Sequence, residues 1–441
     1  MNFELLKLMK CPYCGNSLQI AKIVNEEKDE LVDGCIKCEC SSYPLIKGIL
    51  ILKENTLNES IVKLIKERQI EEATIRCLWP ERYEKADFIK NLSLLSSLRI
   101  SRVFEIIAYL TKIEAEGTCR KLYRQYSNPN IPFFNLLGNG LFDKYLKHRF
   151  STESFWSLYP FIPLLKKKNE RILDLACGAG HASFVLSNYI ESQQLVSADA
   201  SFRMLFLAKK YLVPKAQCIC LDANFPLPFE NGMFSSIIMS DAFHYVRSRI
   251  SLAREIKRAL FPKGFMLLLH VHNSLTSNLG AGYALSPKSW RTLFKEAQLE
   301  IRAIPETRVI SSFLSGNELN LMNECSEYEL NSANALIFLA TLDKSLLTTY
   351  SEIDQEFLKI KNNLVINPIF NMKKESSKIL LERPTSELAF DRYPLSEKYL
   401  VRKCEIDERS VKGRQVEISD TREVEDLMKQ FIVINVPNNY V

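Results

Sequence analysis

Five of the chain's 12 cysteines fall within its first 40 residues, in the stretches CPYCG (Cys11, Cys14) and DGCIKCEC (Cys35, Cys38, Cys40). Two thiolates with two residues between them form a knuckle, and Gly15 lets the backbone turn its N–H groups toward sulfur. Zinc takes four such ligands in a tetrahedron. In a reducing compartment a cluster of this kind points to a metal rather than to disulfides. The second pair is either Cys35 with Cys38, repeating C-x-x-C, or Cys38 with Cys40, a tighter C-x-C on one face of a strand. A closed four-sulfur site of this kind is structural and stabilises a segment too short to have its own core. The scattered Cys77, Cys119, Cys177, Cys218, Cys220, Cys325 and Cys404 read as small buried hydrophobes.

A second constellation begins in RILDLACGAGH, an apolar run that ends in Asp174 and then breaks into small residues. In an open parallel sheet the ligand lies outside the carboxyl ends of the strands, and the first strand-to-helix turn approaches it most closely. Ala176, Gly178 and Gly180 suit that approach. About 25 residues on, QLVSADAS places Asp199 at the end of the next strand, where an acid can bond both hydroxyls of a ribose. Asp222 follows a third strand in CICLDANF and suits an adenine amino group. Together the three acids form a candidate nucleoside site.

The surrounding elements follow from composition and periodicity. The chain has 441 residues, enough for at least two domains, with 46% hydrophobic and 25% charged residues. Its net charge of +6 is small and spread among acids, which gives no ground for nucleic-acid binding. No apolar run reaches the roughly 18 residues that span a bilayer, and MNFELLKLMKCPYC lacks a signal-peptide core, so a soluble, cytoplasmic protein without a membrane partner is expected.

After a ribbon-like unit at residues 1–54, residues 55–150 carry apolar residues at three- and four-residue intervals and read as helical. Short apolar runs then alternate with helices through residues 151–345: RILDLAC, QLVSAD, AQCICL, FSSIIMS, GFMLLLHV and, after a longer gap, ALIFLAT. That rhythm implies an α/β fold with a mostly parallel sheet. Residues 346–441 form a mixed α/β appendage, one that could bind an acceptor.

The stretches LDLACGAG, SADASFRMLFLAKKY, LDANFPLPFENGMFSSIIMSDAFHYV and EIKRALFPKGFMLLL resemble class I S-adenosylmethionine-dependent methyltransferases of the type 11 kind. The resemblance implies a Rossmann-like fold with a seven-stranded, mostly parallel sheet. It places Asp174, Ala176, Gly178 and Gly180 along the methionine part and sugar of S-adenosylmethionine, Asp199 and Ala200 at the ribose and ring, Asp222 and Ala223 at adenine, and Ser240 under the sulfonium. Three positions depart from the family pattern: Ala176 for a glycine, Ser235 for an aspartate, and Lys263 for the first glycine of a Pro-Gly-Gly turn.

CECSSYPLIKGILIL resembles the end of the zinc ribbons related to the activator subunit of tRNA and release-factor methyltransferases. This resemblance favours Cys11, Cys14, Cys38 and Cys40 as the ligands of a structural Zn2+, with Leu50 standing where a proline is usual.

Methyl transfer is a displacement at an already activated carbon, so positioning carries most of it and a base is needed only where the acceptor must lose a proton. His244 in SDAFHYV and His270 in LLLHVHN are the candidate catalytic groups, with His272 on the same strand face as His270. His181 is expected to cap a helix or touch the cofactor tail, and Phe155 or Trp156 to belong to the core or to cover the cofactor.

Ser240-Asp241-Ala242-Phe243 lacks the Asp/Asn-Pro-Pro-aromatic element of exocyclic-amino nucleic-acid methyltransferases. The leading expectation is therefore transfer to a small-molecule acceptor, such as a specialised metabolite. The alternatives are an RNA or protein methyltransferase whose ribbon docks its substrate or a protein partner, and a non-catalytic zinc-ribbon scaffold.

Overall fold

The computed structural model describes all residues except 54–56, 95–97, 167–169, 278–281, 351–357, 359–362, 385–398 and 419. The boundary expected at 54/55 lies outside the described residues. The strands that concern the site are β1 (Gln19–Glu27), β2 (Glu30–Lys37), β3 (Ser42–Ile46), β4 (Ile49–Ile51), β5 (Ile172–Leu175), β6 (Leu195–Asp199), β7 (Gln217–Cys220), β8 (Phe234–Ser240), β9 (Leu260–His272) and β10 (Glu300–Pro305). The two-residue β11 (Leu319–Asn320) lies apart from them, and β12 (Ala335–Thr341) completes the set. All but β11 join one sheet of 11 strands in the order β1-β2-β3-β4-β7-β6-β5-β8-β9-β12-β10.

The seven strands from β7 to β10 form the Rossmann-like α/β core. β5 to β9 run parallel, while β12 runs antiparallel to both β9 and β10. Residues of β5, β7 and β12 are buried throughout, as expected of central strands covered on both faces. β5 leads into a turn where Ala176, Gly178 and Gly180 all have positive φ (60°, 55° and 87°). Gly180 answers two demands at once: its backbone is left-handed, and a Cβ there would lie 3.0 Å from that of Ala208.

The sequence reads the ribbon as a unit preceding the sheet; in the fold it extends the sheet. β4 pairs in parallel with β7, Ile49 opposite Cys218 and Ile51 opposite Cys220. This accounts for Leu50. β4 is paired on one edge by β3 and on the other by β7, so a proline at 50 would withdraw an N–H from a strand bonded on both sides.

Between ribbon and core lie helices at Asn58–Lys66, Ile70–Leu78, Pro80–Leu94 and Leu98–Ser127, then shorter ones at Phe133–Leu136 and Leu141–Lys147. The segment SNPNIPFFNLLGNG, which reads as a loop, contains the Phe133–Leu136 turn of helix. Its Phe133 is fully buried and stacks on Tyr440 with centroids 5.0 Å apart.

The C-terminal residues pack on the segment that precedes β5. Trp156 stacks on Phe431 at 3.9 Å, and the Ser151 hydroxyl donates to Asn367 Oδ1 at 2.6 Å. Part of FIVINV forms a short strand, Val433–Asn435, as its apolar run suggests.

Candidate functional site

A cleft of about 580 Å³ opens at the carboxyl ends of β5 to β8. Its lining brings together eight of the nine residues that the sequence assigned to the cofactor: Asp174, Ala176, Gly178, Asp199, Ala200, Asp222, Ala223 and Ser240; the ninth, Gly180, caps the helix that follows the turn, while its neighbours Ala179 and His181 line the cleft. Asp199 anchors the glycine turn. Its Oδ2 accepts the Gly178 N–H at 2.9 Å and its Oδ1 the Ser201 N–H at 2.8 Å. Burial raises the Asp199 carboxyl, and these N–H groups oppose that rise.

Asp174 is almost wholly buried. Burial pushes its carboxyl up to about 6 even though the Ser183 hydroxyl donates to Oδ2 at 2.6 Å. Asp222 closes a turn by accepting from the N–H and Nδ2 of Asn224, at 2.9 and 2.8 Å. Phe155 lines the cleft, whereas Trp156 lies in the core against Phe431. His181 also lines it, and its Nε2 lies 2.9 Å from the Tyr440 hydroxyl. Burial drives that imidazole down to about 3, so it is neutral near pH 7.

Two lining residues escaped the sequence reading. Arg149, in the unremarkable stretch KHRFST, is only 4% exposed. Its guanidinium donates to Ser240 Oγ at 2.9 Å and to the hydroxyls of Thr152 and Ser154, and it lies over the rings of Tyr145 and Phe155. Asp241, one residue past β8, has φ of 56° and accepts the Tyr145 hydroxyl on Oδ2 at 3.1 Å. A polar residue adjoining Ser240 was the available signal for Asp241. Nothing local marked Arg149.

The described cleft lining includes neither His244 nor His270. His244 is fully buried and stacks on His272 with centroids 3.7 Å apart, and the Nε2 of each lies 3.8 Å from Asp241 Oδ1. A bulge in β9, opposite Leu336 to Phe338, gives His270 a φ of 51°. It separates His270 from the strict alternation with His272. His270 Nδ1 lies 2.7 Å from Glu306 Oε2 instead.

Asp241, His244 and His272 bring one oxygen and two ring nitrogens within 4.8 Å of one another. Yet the two imidazole planes are only 17° from parallel and stacked. In-plane lone pairs on parallel, offset rings do not converge on one ion. The cluster reads as a buried polar group behind Asp241 rather than a metal site.

The cysteines behave differently. Cys11, Cys14, Cys38 and Cys40 gather their sulfurs within 4.8 Å, with separations of 3.5 Å (Cys11 to Cys40), 3.4 Å (Cys38 to Cys40) and 3.9 Å (Cys14 to Cys38). Four ligands at about 2.3 Å around a tetrahedral zinc would stand about 3.8 Å apart. Cys35 is buried elsewhere, its thiol directed at the Val62 carbonyl 3.9 Å away.

Residues 173–268 match a family model described as a methyltransferase domain. Over 142 residues the chain is 28% identical to a demethylmenaquinone methyltransferase of Thermotoga maritima, covering 32% of this chain and 61% of that protein. Over 111 residues it is 30% identical to a malonyl-[acyl-carrier protein] O-methyltransferase of Legionella pneumophila, covering 25% of this chain and 39% of that one. The chain thus spans less than two thirds of the length of these relatives. A solved S-adenosylmethionine-dependent methyltransferase from Mesorhizobium loti is similar over 42% of this chain and 97% of its own, with 16% identity and a TM-score of 0.32.

Proposed function

We propose that the protein is an S-adenosylmethionine-dependent methyltransferase acting on a small-molecule acceptor. The observation that carries this reading is the convergence of Asp174, Asp199 and Asp222, from the ends of three adjacent parallel strands, on one cleft floored by the glycine turn. S-adenosylmethionine supplies a methyl group already activated by a sulfonium. Asp199 and the Gly178 turn would hold its ribose, Ala200 and Ala223 its ring, and Asp222 its adenine edge. Arg149 places a buried cation near Asp174, complementary to the carboxylate of the methionine part.

The acceptor would enter beside Phe142, Tyr145 and Tyr245, whose rings border the same cleft. Aromatic walls fit an apolar, planar acceptor, a class to which the demethylmenaquinone of the Thermotoga maritima relative belongs, unlike the malonyl-[acyl-carrier protein] of the other. Of the lining residues, Asp241 would take a proton from that acceptor, with the Tyr145 hydroxyl donating to its Oδ2. His244 and His272 would act through Asp241 and His270 through Glu306, as positioning residues rather than as groups that touch the acceptor.

The four sulfurs of Cys11, Cys14, Cys38 and Cys40 would hold a structural Zn2+. Because β4 continues the main sheet, the ribbon would brace the core rather than hang from it as a free docking module.

The test supplies methyl-labelled S-adenosylmethionine and an extract of the source cells to the purified chain and to Asp199→Ala. Label in the small-molecule fraction that the variant fails to produce is the expected result. Label in RNA or protein would replace this reading with the docking-ribbon one. Absence of cofactor binding would replace it with the scaffold.

A further inference from the structure

The four-sulfur unit touches the core at a second place, apart from the pairing of β4 with β7. Backbone bonds join residues 8–10 to residues 228–230: the Lys10 N–H donates to the Pro228 carbonyl and the Glu230 N–H to the Leu8 carbonyl, each at 3.1 Å. Lys10 Nζ adds an ion pair with Glu230 at 3.0 Å. Past that seam the chain turns through the knuckle, where the Gly15 N–H bonds the Cys11 carbonyl at 3.0 Å and the Tyr13 N–H donates to Cys11 Sγ at 3.4 Å. Tyr13 therefore takes its place from the turn that carries the sulfurs. Its ring meets that of Phe225 edge-on, with centroids 5.5 Å apart and planes inclined by 61°.

Phe225 ends a four-residue turn that Asp222 begins. The Phe225 N–H closes it on the Asp222 carbonyl at 3.0 Å, and Asp222, Ala223 and Asn224 all line the cleft. One flank of this turn is held by the core, because Asn224 Oδ1 accepts the N–H groups of Arg247 and Ser248 at 2.8 and 3.2 Å. Tyr13 stands against the other. From Phe225 to the seam the chain reads Pro226-Leu227-Pro228, and two prolines in three residues fix φ twice. With that segment stiff, the contact of Phe225 with Tyr13 sets where the turn's last residue lies. Phe225 is 47% exposed and Tyr13 36%, so the pair adds little to the core, while an edge-to-face arrangement of rings contributes through its geometry as well as its area.

We infer that Tyr13, lying between two of the sulfur ligands, is a positioning residue for the adenine of the cofactor, acting through Phe225 on the turn that carries Asp222. The inference rests on the proposed reading of the cleft as the cofactor site. It is distinct from support through β4, which reaches Asp222 along the strand ahead of it, because it needs a ring at position 13 and leaves the metal in place. Its effect falls on the group that Asp222 would bond, the adenine amino group, and spares the ribose and the methionine part.

The test titrates the full chain, purified with zinc present, with S-adenosylhomocysteine and with S-inosylhomocysteine, which carries a carbonyl where adenine has its amino group. The wild type should prefer the adenosyl compound. Tyr13→Ala should bind that compound about threefold more weakly and the inosyl compound as before, with zinc content and unfolding temperature unchanged. Tyr13→Phe, which keeps the ring, should match the wild type. Phe225→Ala should show the same loss, reading the contact even where Tyr13→Ala disturbs the knuckle, and combining the two should cost nothing more. Unchanged adenosyl affinity in both alanine variants, or an equal loss for both compounds, overturns the inference and leaves the cofactor site standing. So does a wild type that binds the two compounds equally. A wild type that binds neither overturns the site and the inference together.

Discussion

The guanidinium of Arg149 donates to Ser240 Oγ at 2.9 Å, joining the segment ahead of β5 to the end of β8 in the wall of the cleft. Hydrogen bonds from a buried charge contribute about 1.5–3 kcal/mol, and Arg149 makes several. Arg149→Met should therefore lower the unfolding temperature and raise the dissociation constant for S-adenosylhomocysteine at least about tenfold. Arg149→Lys keeps the charge but loses the planar fork, so it should fall between the two. Calorimetry of unfolding and of binding reads both effects. Equal affinity in all three proteins would remove Arg149 from the cofactor site.

Asp199 links the glycine turn to the start of the following helix through the N–H groups of Gly178 and Ser201. Asp199→Ala should weaken S-adenosylhomocysteine by about 1.4 kcal/mol or more, a factor of ten. Asp222→Ala should cost less, because Asp222 closes a surface turn with Asn224 rather than supporting the turn under the cofactor. Titration calorimetry of both variants decides the order, and a larger loss for Asp222→Ala would reverse the assignment of the two acids.

These residues mark where the sequence was readable. Asp174, Asp199 and Asp222 end short apolar runs, and the alternation of those runs with helices is enough to place them at one sheet edge. Leu50 departs from the ribbon pattern, but its reason lies in a parallel pairing with β7, more than 160 residues away, which no local pattern encodes. Arg149 is enclosed by near neighbours in the chain, Tyr145, Thr152, Ser154 and Phe155, and by Ser240, 91 residues away, and that last contact leaves no mark in KHRFST. His270 and His272 show the limit of periodicity: a one-residue bulge in β9 redirects one of them to Glu306.

The pairing of His270 with Glu306 predicts a pH dependence. Burial alone would lower the imidazole, but the Glu306 charge and hydrogen bond, aided by Asp241 and opposed by Arg149, raise it above its ordinary value near 6.5. A histidine raised on folding contributes stability that is fully present below the unfolded value and is lost as pH rises through the folded one. The destabilisation caused by Glu306→Gln should accordingly be larger at pH 6 than at pH 9. Denaturant unfolding of both proteins across that range checks it. A difference that grows with pH would mean that His270 is neutral throughout.

Zinc content separates the two cysteine pairings that the sequence leaves open. Cys40 lies 3.5 Å from Cys11 and 3.4 Å from Cys38, while Cys35 faces the Val62 carbonyl on the other side of its strand. Cys40→Ala should lose the metal, and Cys35→Ala should retain it, with elemental analysis of the purified chains as the measure. The consequence should reach the cleft. The ribbon meets the core through β4 and β7, and Asp222 follows β7 by two residues, so loosening the four-sulfur site removes support from the strand that delivers that acid. Cys40→Ala or a chelator should therefore lower the unfolding temperature and weaken S-adenosylhomocysteine together. If the metal leaves while affinity is unchanged, the ribbon folds the N-terminus without bracing the cleft, and its sheet continuity serves stability alone.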